Sequence, residues 1–163
     1  MKRMMRIIVK CLMVIVLLLC VAATWFYLGV WIPQKTISNS VQWGLGKEHV
    51  PDEKIRDACH KILRNWLAGD HDTFIILGHV GNKDSIPILI HALKWQNWQH
   101  KKDMEAGEGV VCTYSHCRES LEKLTGMNFG YDYDVWKNWW QQTGRHLPFD
   151  EEKGTLVLPE KEE

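Results

Sequence analysis

The sequence predicts an all-α fold: one transmembrane helix at the amino end, then a short stack of antiparallel helix pairs. Two observations predict it. Residues 11–32, CLMVIVLLLCVAATWFYLGVWI, hold 22 consecutive positions without a charge. Beyond residue 50, apolar side chains recur at helical spacing in short segments, most of them closed by glycine.

A helix rises about 1.5 Å per residue, so the uncharged run reaches across a hydrocarbon core of roughly 30 Å. Lys2, Arg3, Arg6 and Lys10 precede it without an acid, and positive flanks stay in the cytoplasm. Trp25, Phe26, Tyr27 and Trp31 crowd its far end, where aromatic rings favour the membrane interface. Residues 1–10 are therefore expected to be a cytoplasmic flank, 11–32 a single-pass anchor, and everything after it external. A cleaved signal peptide is the competing reading, with Val21, Ala22 and Ala23 at its cleavage site. The apolar run continues to Ile32 with no polar stretch before that site, which favours the anchor. Both readings put the remainder outside the cytoplasm.

Residues 33–50, PQKTISNSVQWGLGKEHV, mix Pro, Ser, Asn and Gly without a sustained period and read as a linker. From Pro51 the pattern is helical. Asp52 and Glu53 suit a first turn, and Ile55, Cys59, Ile62 and Trp66 fall on one face. Residues 70–81 form a short helix between Asp70 and Gly81. Asp84 or Ser85 caps the next, with Pro87 in its first turn and a stripe of Ile86, Leu89, Ile90 and Leu93. Residues 97–111 are charged and carry two glycines, as an exposed insertion would. A further helix follows from Cys112 to its stop at Gly126, with Cys117, Leu121 and Leu124 inward. The last runs from about Tyr133 to Thr143 and puts Trp136, Trp139 and Trp140 at i, i+3 and i+4. Residues 51–144 make the domain; 145–163, with Pro148, Pro159 and an acidic end, read as a flexible tail.

Two stretches resemble HEAT repeats of the bacterial PBS-lyase HEAT-like type. FIILGHVGNKDSIPILIHAL, residues 74–93, is similar to the family's Leu-Gly helix end, short acidic turn and apolar-Pro helix start. ESLEKLTGMNFGYDYDVWKNWW, residues 119–140, resembles the closing portion of such proteins: a Leu-Thr-Gly helix end, a Phe-Gly-Tyr-Asp turn and a Trp-rich helix. The resemblance implies stacked helix pairs that bury a shared core, used as scaffolds and binding surfaces. The family's bilin-lyase activity does not carry over, because no matching motif here supplies chemistry. The insertion at 97–111 departs from the regular period.

Composition narrows function. Apolar residues at 45% and charged residues at 25% are ordinary for a globular chain and argue against wholesale disorder. The formal net charge is zero, but the four cations ahead of the anchor leave the rest with four more acidic than basic side chains. Such a body has no general attraction for phosphate backbones, so nucleic acid is not an expected partner.

Chemistry-bearing residues are sparse in pattern. Cys59, Cys112, His116 and Cys117 are the residue types that bind zinc, but no Cys-x-x-Cys pair is present and His116 and Cys117 point about 100° apart on a helix. Buried core thiols, or one disulfide among Cys59, Cys112 and Cys117, are the favoured readings over a metal site. Asp70, His71 and Asp72 read as a polar helix start rather than a base with its orienting acids. No Gly-x-Ser-x-Gly, phosphate loop, His-Glu-x-x-His or dinucleotide fingerprint occurs. No catalytic residue, metal or cofactor is therefore expected. Trp136, Trp139 and Trp140 are expected to be structural, since their spacing makes one face. Trp95 and Trp98, with His100, Lys101 and Lys102 beside them, are the interaction candidates at a helix end. The expected function is a scaffold for protein–protein contact, anchored in a bacterial inner membrane with its domain periplasmic or extracellular; self-association is a possible form of it. A carbohydrate-binding module using exposed Trp, and a Cys/His metal protein or enzyme, are the alternatives.

Overall fold

The computed structural model describes residues 2–41, 50–65, 71–106 and 112–159, and the side chains of all of these except 2, 40, 41, 97–106 and 112. Helix α1 spans Lys2–Phe26, and every described side chain from residue 3 to 28 is exposed. In water so apolar a surface would be buried, so this helix is long and apolar enough to cross a membrane. One π-helical turn, Tyr27–Trp31, joins it to α2, Ile32–Val41. Pro33 explains the turn: it lacks the N–H that would bond the Gly29 carbonyl in a regular α ladder. The Ile32 N–H bonds back to Tyr27 O, five residues earlier.

Five helices follow among the described residues. Helix α3, Asp52–Arg64, packs on α2, and its buried Ile55, Cys59 and Ile62 follow the stripe expected of it. Helix α4 spans His71–Val80, α5 Ser85–Ala106, α6 Cys112–Thr125 and α7 Tyr133–Gln142. Helix α3 contacts α4 and α5; α6 contacts α4 and α5; α7 contacts α5. Phe74, Leu77, Ile86, Leu89, Leu93, Leu121, Leu124 and Trp136 are the large side chains wholly withdrawn from solvent at the centre. Burying each of them is worth about 1.5–3 kcal/mol, which compensates helices too short to persist alone.

Local signals set the helix ends. Asn82 shapes the entry to α5, its Oδ1 accepting from the Asp84 N–H and the Ser85 hydroxyl. Ser85 Oγ in turn accepts from the Asn82 N–H at 3.0 Å, which ties Ser85 into the turn before α5. Gly126, at φ 68°, closes α6 in the left-handed conformation that glycine adopts without strain. Asp132 caps α7, with Oδ1 accepting from the N–H groups of Asp134 and Val135 at 3.0 Å each.

Three stretches depart from expectation. Residues 33–41, read as the start of a linker, are helical; Pro33 and Ile37 are buried there. Residues 97–106 of the stretch read as an exposed insertion, 97–111, continue α5; residues 107–111 lie outside the described residues. The tail, read as flexible, carries regular structure between residues 144 and 156. A 3-10 turn, Gly144–His146, leads to a two-stranded antiparallel hairpin, β1 (Phe149–Asp150) and β2 (Thr155–Leu156). Leu156 is buried against α6, and that apolar anchor outweighs the acidic character of the segment.

Candidate functional site

Helices α4 and α6 approach so closely that Gly78 has no room for a side chain: a Cβ there would lie 2.8 Å from Ser120 Oγ. Ser120 is committed to the same contact, donating to Phe74 O at 2.6 Å. Above this floor lies a groove of about 210 Å³, lined by Ile75, His79, His116, Glu119 and Lys123. That volume falls below the 300–1,000 Å³ of most small-molecule pockets, so it fits a protruding side chain or a small ion. A larger hollow of about 630 Å³ runs along α1 near Leu12 and Leu17, but one apolar helix is its only wall.

The groove is polar at its rim. His116 Nδ1 lies 3.1 Å from Glu119 Oε2, and its ring centroid is 5.6 Å from that of His71. His71 in turn sits 3.2 Å from Asp72. His79 Nδ1 donates to Ile75 O at 2.9 Å, which leaves Nε2 as an acceptor. Arg118 reaches Glu122 at 3.2 Å and Glu119 at 3.5 Å. These are solvent-screened pairs of small individual worth, and they present both signs of charge to an approaching surface.

The residues singled out in the sequence scatter. Cys59 and Cys117 are fully buried, and no disulfide joins them. The Cys117 thiol donates to Leu89 O at 3.4 Å, and burial pushes its pKa well above the ordinary thiol range, so it stays protonated. His116 lies at the groove rim beside Glu119; the Cys112 side chain lies outside the described residues. Among the described residues, no group of three or more His, Cys, Asp or Glu side chains could hold a metal ion. Trp95 is 42% exposed on α5, its Nε1 donating to His91 Nε2 at 3.4 Å. Trp98, His100, Lys101 and Lys102 lie on the same helix, with side chains outside the described residues. Trp136 is buried, whereas Trp139 and Trp140 are half-buried. Gly144 presses on both, since a Cβ there would meet their rings at 2.8 Å.

Two polar clusters escaped sequence reasoning. His60, on the inner side of α3, is buried with Nε2 2.8 Å from Ser85 Oγ. Burial first, then the Arg64 charge, lowers its pKa, with Arg56 adding to this and Asp57 and Asp84 opposing. A serine–imidazole pair has the makings of a nucleophile and base, but Ser85 is wholly buried and no substrate reaches it. The second cluster stacks Tyr114 on Tyr131 at 4.1 Å, with the Arg118 guanidinium 5.0 Å above Tyr131. The periodicity of α3 already placed residue 59 inward; its neighbour at the edge of that stripe was the available signal for His60.

Fold and groove together define a class: an α-helical body behind one long, apolar amino-terminal helix, with a small groove rimmed by polar side chains and, among the described residues, no metal cluster. No protein-family model, curated protein or solved structure matches the chain.

Proposed function

We propose that the protein is a membrane-anchored, HEAT-like scaffold that holds a protein partner outside the cytoplasm. The observation that carries this reading is the α4/α6 groove: too small for most ligands, edged by both signs of charge, and set on a closely packed helix pair. The order of helix contacts supports the HEAT-like part. Helices α3 with α4, and α5 with α6, act as successive pairs; α3 then meets α5 and α6 meets α4, as equivalent helices do in a stack. The exposed, uncharged length of α1 supports anchorage, and Lys2, Arg3, Arg6 and Lys10 support a cytoplasmic amino end. Cross-linking the anchored protein in its native membrane tests the reading. Recovery of a distinct protein is expected; adducts with itself alone would replace the scaffold by a homo-oligomer.

Trp95 sustains the carbohydrate-binding alternative, because it is a large aromatic left exposed on α5. Titration with cell-wall sugars would then shift its fluorescence, and an unchanged spectrum would remove that alternative.

A further inference from the structure

From the way α3 closes on the π turn, we infer that the carboxyl end of α3 rests on the membrane surface, with Lys61 and Arg64 among anionic lipid headgroups. The inference rests on the proposed reading of α1 as an anchor. Its starting point is the Gly29 carbonyl, which Pro33 leaves without a regular helical donor. Asn65, the residue that ends α3, fills that vacancy: its Nδ2 donates to Gly29 O at 2.9 Å. The fit is close, because a Cβ on Gly29 would lie 2.9 Å from the same nitrogen. Val30, Pro33 and Ile37 are buried beside this contact, and α2 packs along α3.

Depth follows from these contacts. Gly29 lies three residues before the end of the apolar run at Ile32, or about 4.5 Å along a helix. It therefore sits at the interface, within the belt of Trp25, Tyr27 and Trp31, which are all exposed. Lys35 stands 5.1 Å over the Trp31 ring, as a cation at headgroup level would. A side chain bonded to Gly29 O must reach the same level, so α2 leaves the membrane and α3 runs back to it.

The charges along α3 match that direction. Asp52 and Glu53 occupy the end remote from the bilayer, and Lys61 and Arg64 the end that returns to it, all four exposed. The same arrangement complements the helix dipole, so charge alone does not separate the two explanations. The Asn65 bond does, because it fixes where the basic end lies. Anionic headgroups then meet Lys61 and Arg64, and the outer body gains a fixed orientation to the bilayer.

The test uses the full-length protein in vesicles of phosphatidylcholine doped with phosphatidylglycerol. A fluorescent non-natural amino acid replaces Lys61, Arg64 or, as reference, the exposed Lys54 on the same helix. A nitroxide attached to the lipid headgroup quenches what lies near it. Lys54 is ten residues before Arg64, about 15 Å along the helix, so quenching at 61 and 64 is expected to exceed that at 54 several-fold. Asn65→Ala is expected to reduce this difference, and vesicles of phosphatidylcholine alone to weaken it. Protein that inserts, as judged by flotation after alkaline washing, yet shows equal quenching at all three positions overturns the inference and leaves the anchor standing. Protein that fails to float with the vesicles overturns the anchor itself and this inference with it. Quenching that does not change without phosphatidylglycerol overturns the anionic headgroup as the partner.

Discussion

The Trp136 indole is wholly buried, with its polar end satisfied: Nε1 donates to Gly130 O at 2.9 Å. Its ring meets Phe129 and Trp139 edge-on, at centroid distances of 4.9 and 6.0 Å. Gly130 takes φ 57°, so the turn that offers the accepting carbonyl needs glycine. Trp136→Ala should destabilise the body by about 3–5 kcal/mol, read as a lower urea midpoint. A folded variant with an unchanged midpoint would contradict the structural role of this ring. His60 supplies a residue-scale pH dependence. The fold holds its neutral imidazole, so its folded pKa lies below that of the unfolded chain. Above about pH 6.5 both states are neutral and the residue is silent. As pH falls from there, the unfolded chain takes up the proton first, and stability drops until the folded pKa is passed. His60→Gln, which keeps a hydrogen-bonding group but does not titrate, should flatten the fall in urea midpoint on acidification. An equal fall in wild type and variant would assign the effect to other histidines.

Among the elements, the α4/α6 contact is set by a missing side chain. Gly78 lets the two backbones close, and Ser120 bonds across to Phe74 O. Gly78→Ala should push the helices apart, cost about 1–3 kcal/mol and reshape the groove, both visible as a lower unfolding midpoint with altered histidine chemical shifts. An unperturbed midpoint would mean that Ser120 turns aside freely. The helices were legible in the sequence because their signals are local. The apolar stripes of α3 and α5, Gly126 after α6 and the start of α7 all stand in the chain within a turn or two of their effect. What escaped depends on partners distant in sequence. Residues 32–41 have a weak pattern of their own and gain burial only when α3, some twenty residues on, lies against them. The hairpin is two residues per strand and is held by Leu156 on α6, thirty residues earlier. The groove joins α4 to α6 across the whole of α5, and no spacing rule links His79 to His116. Trp95 was visible as an exposed aromatic; the His60–Ser85 pair was not, since it crosses 25 residues.

At the scale of the whole molecule, an exposed apolar helix is joined to a compact helical body through a turn that the body itself holds. Asn65 and the buried Val30 and Ile37 hold the stretch around residue 33, where composition had implied the start of a linker; residues 42–49 lie outside the described residues. In the proposed arrangement this makes the body a fixed fixture on the membrane, with the α4/α6 groove held at a set orientation to it. The same arrangement makes the partner's site predictable. A photo-cross-linking amino acid at His79 or Lys123, both on the groove, should capture a distinct protein in intact membranes. The exposed Lys153, in the hairpin turn, provides the comparison. The most direct measurement is therefore site-resolved photo-cross-linking in the native membrane, followed by mass identification of each adduct. The account predicts one recurrent protein adduct from positions 79 and 123, absent from 153, in the membrane fraction that survives alkaline washing. Adducts that do not differ among the three positions, or only self-adducts, would contradict it.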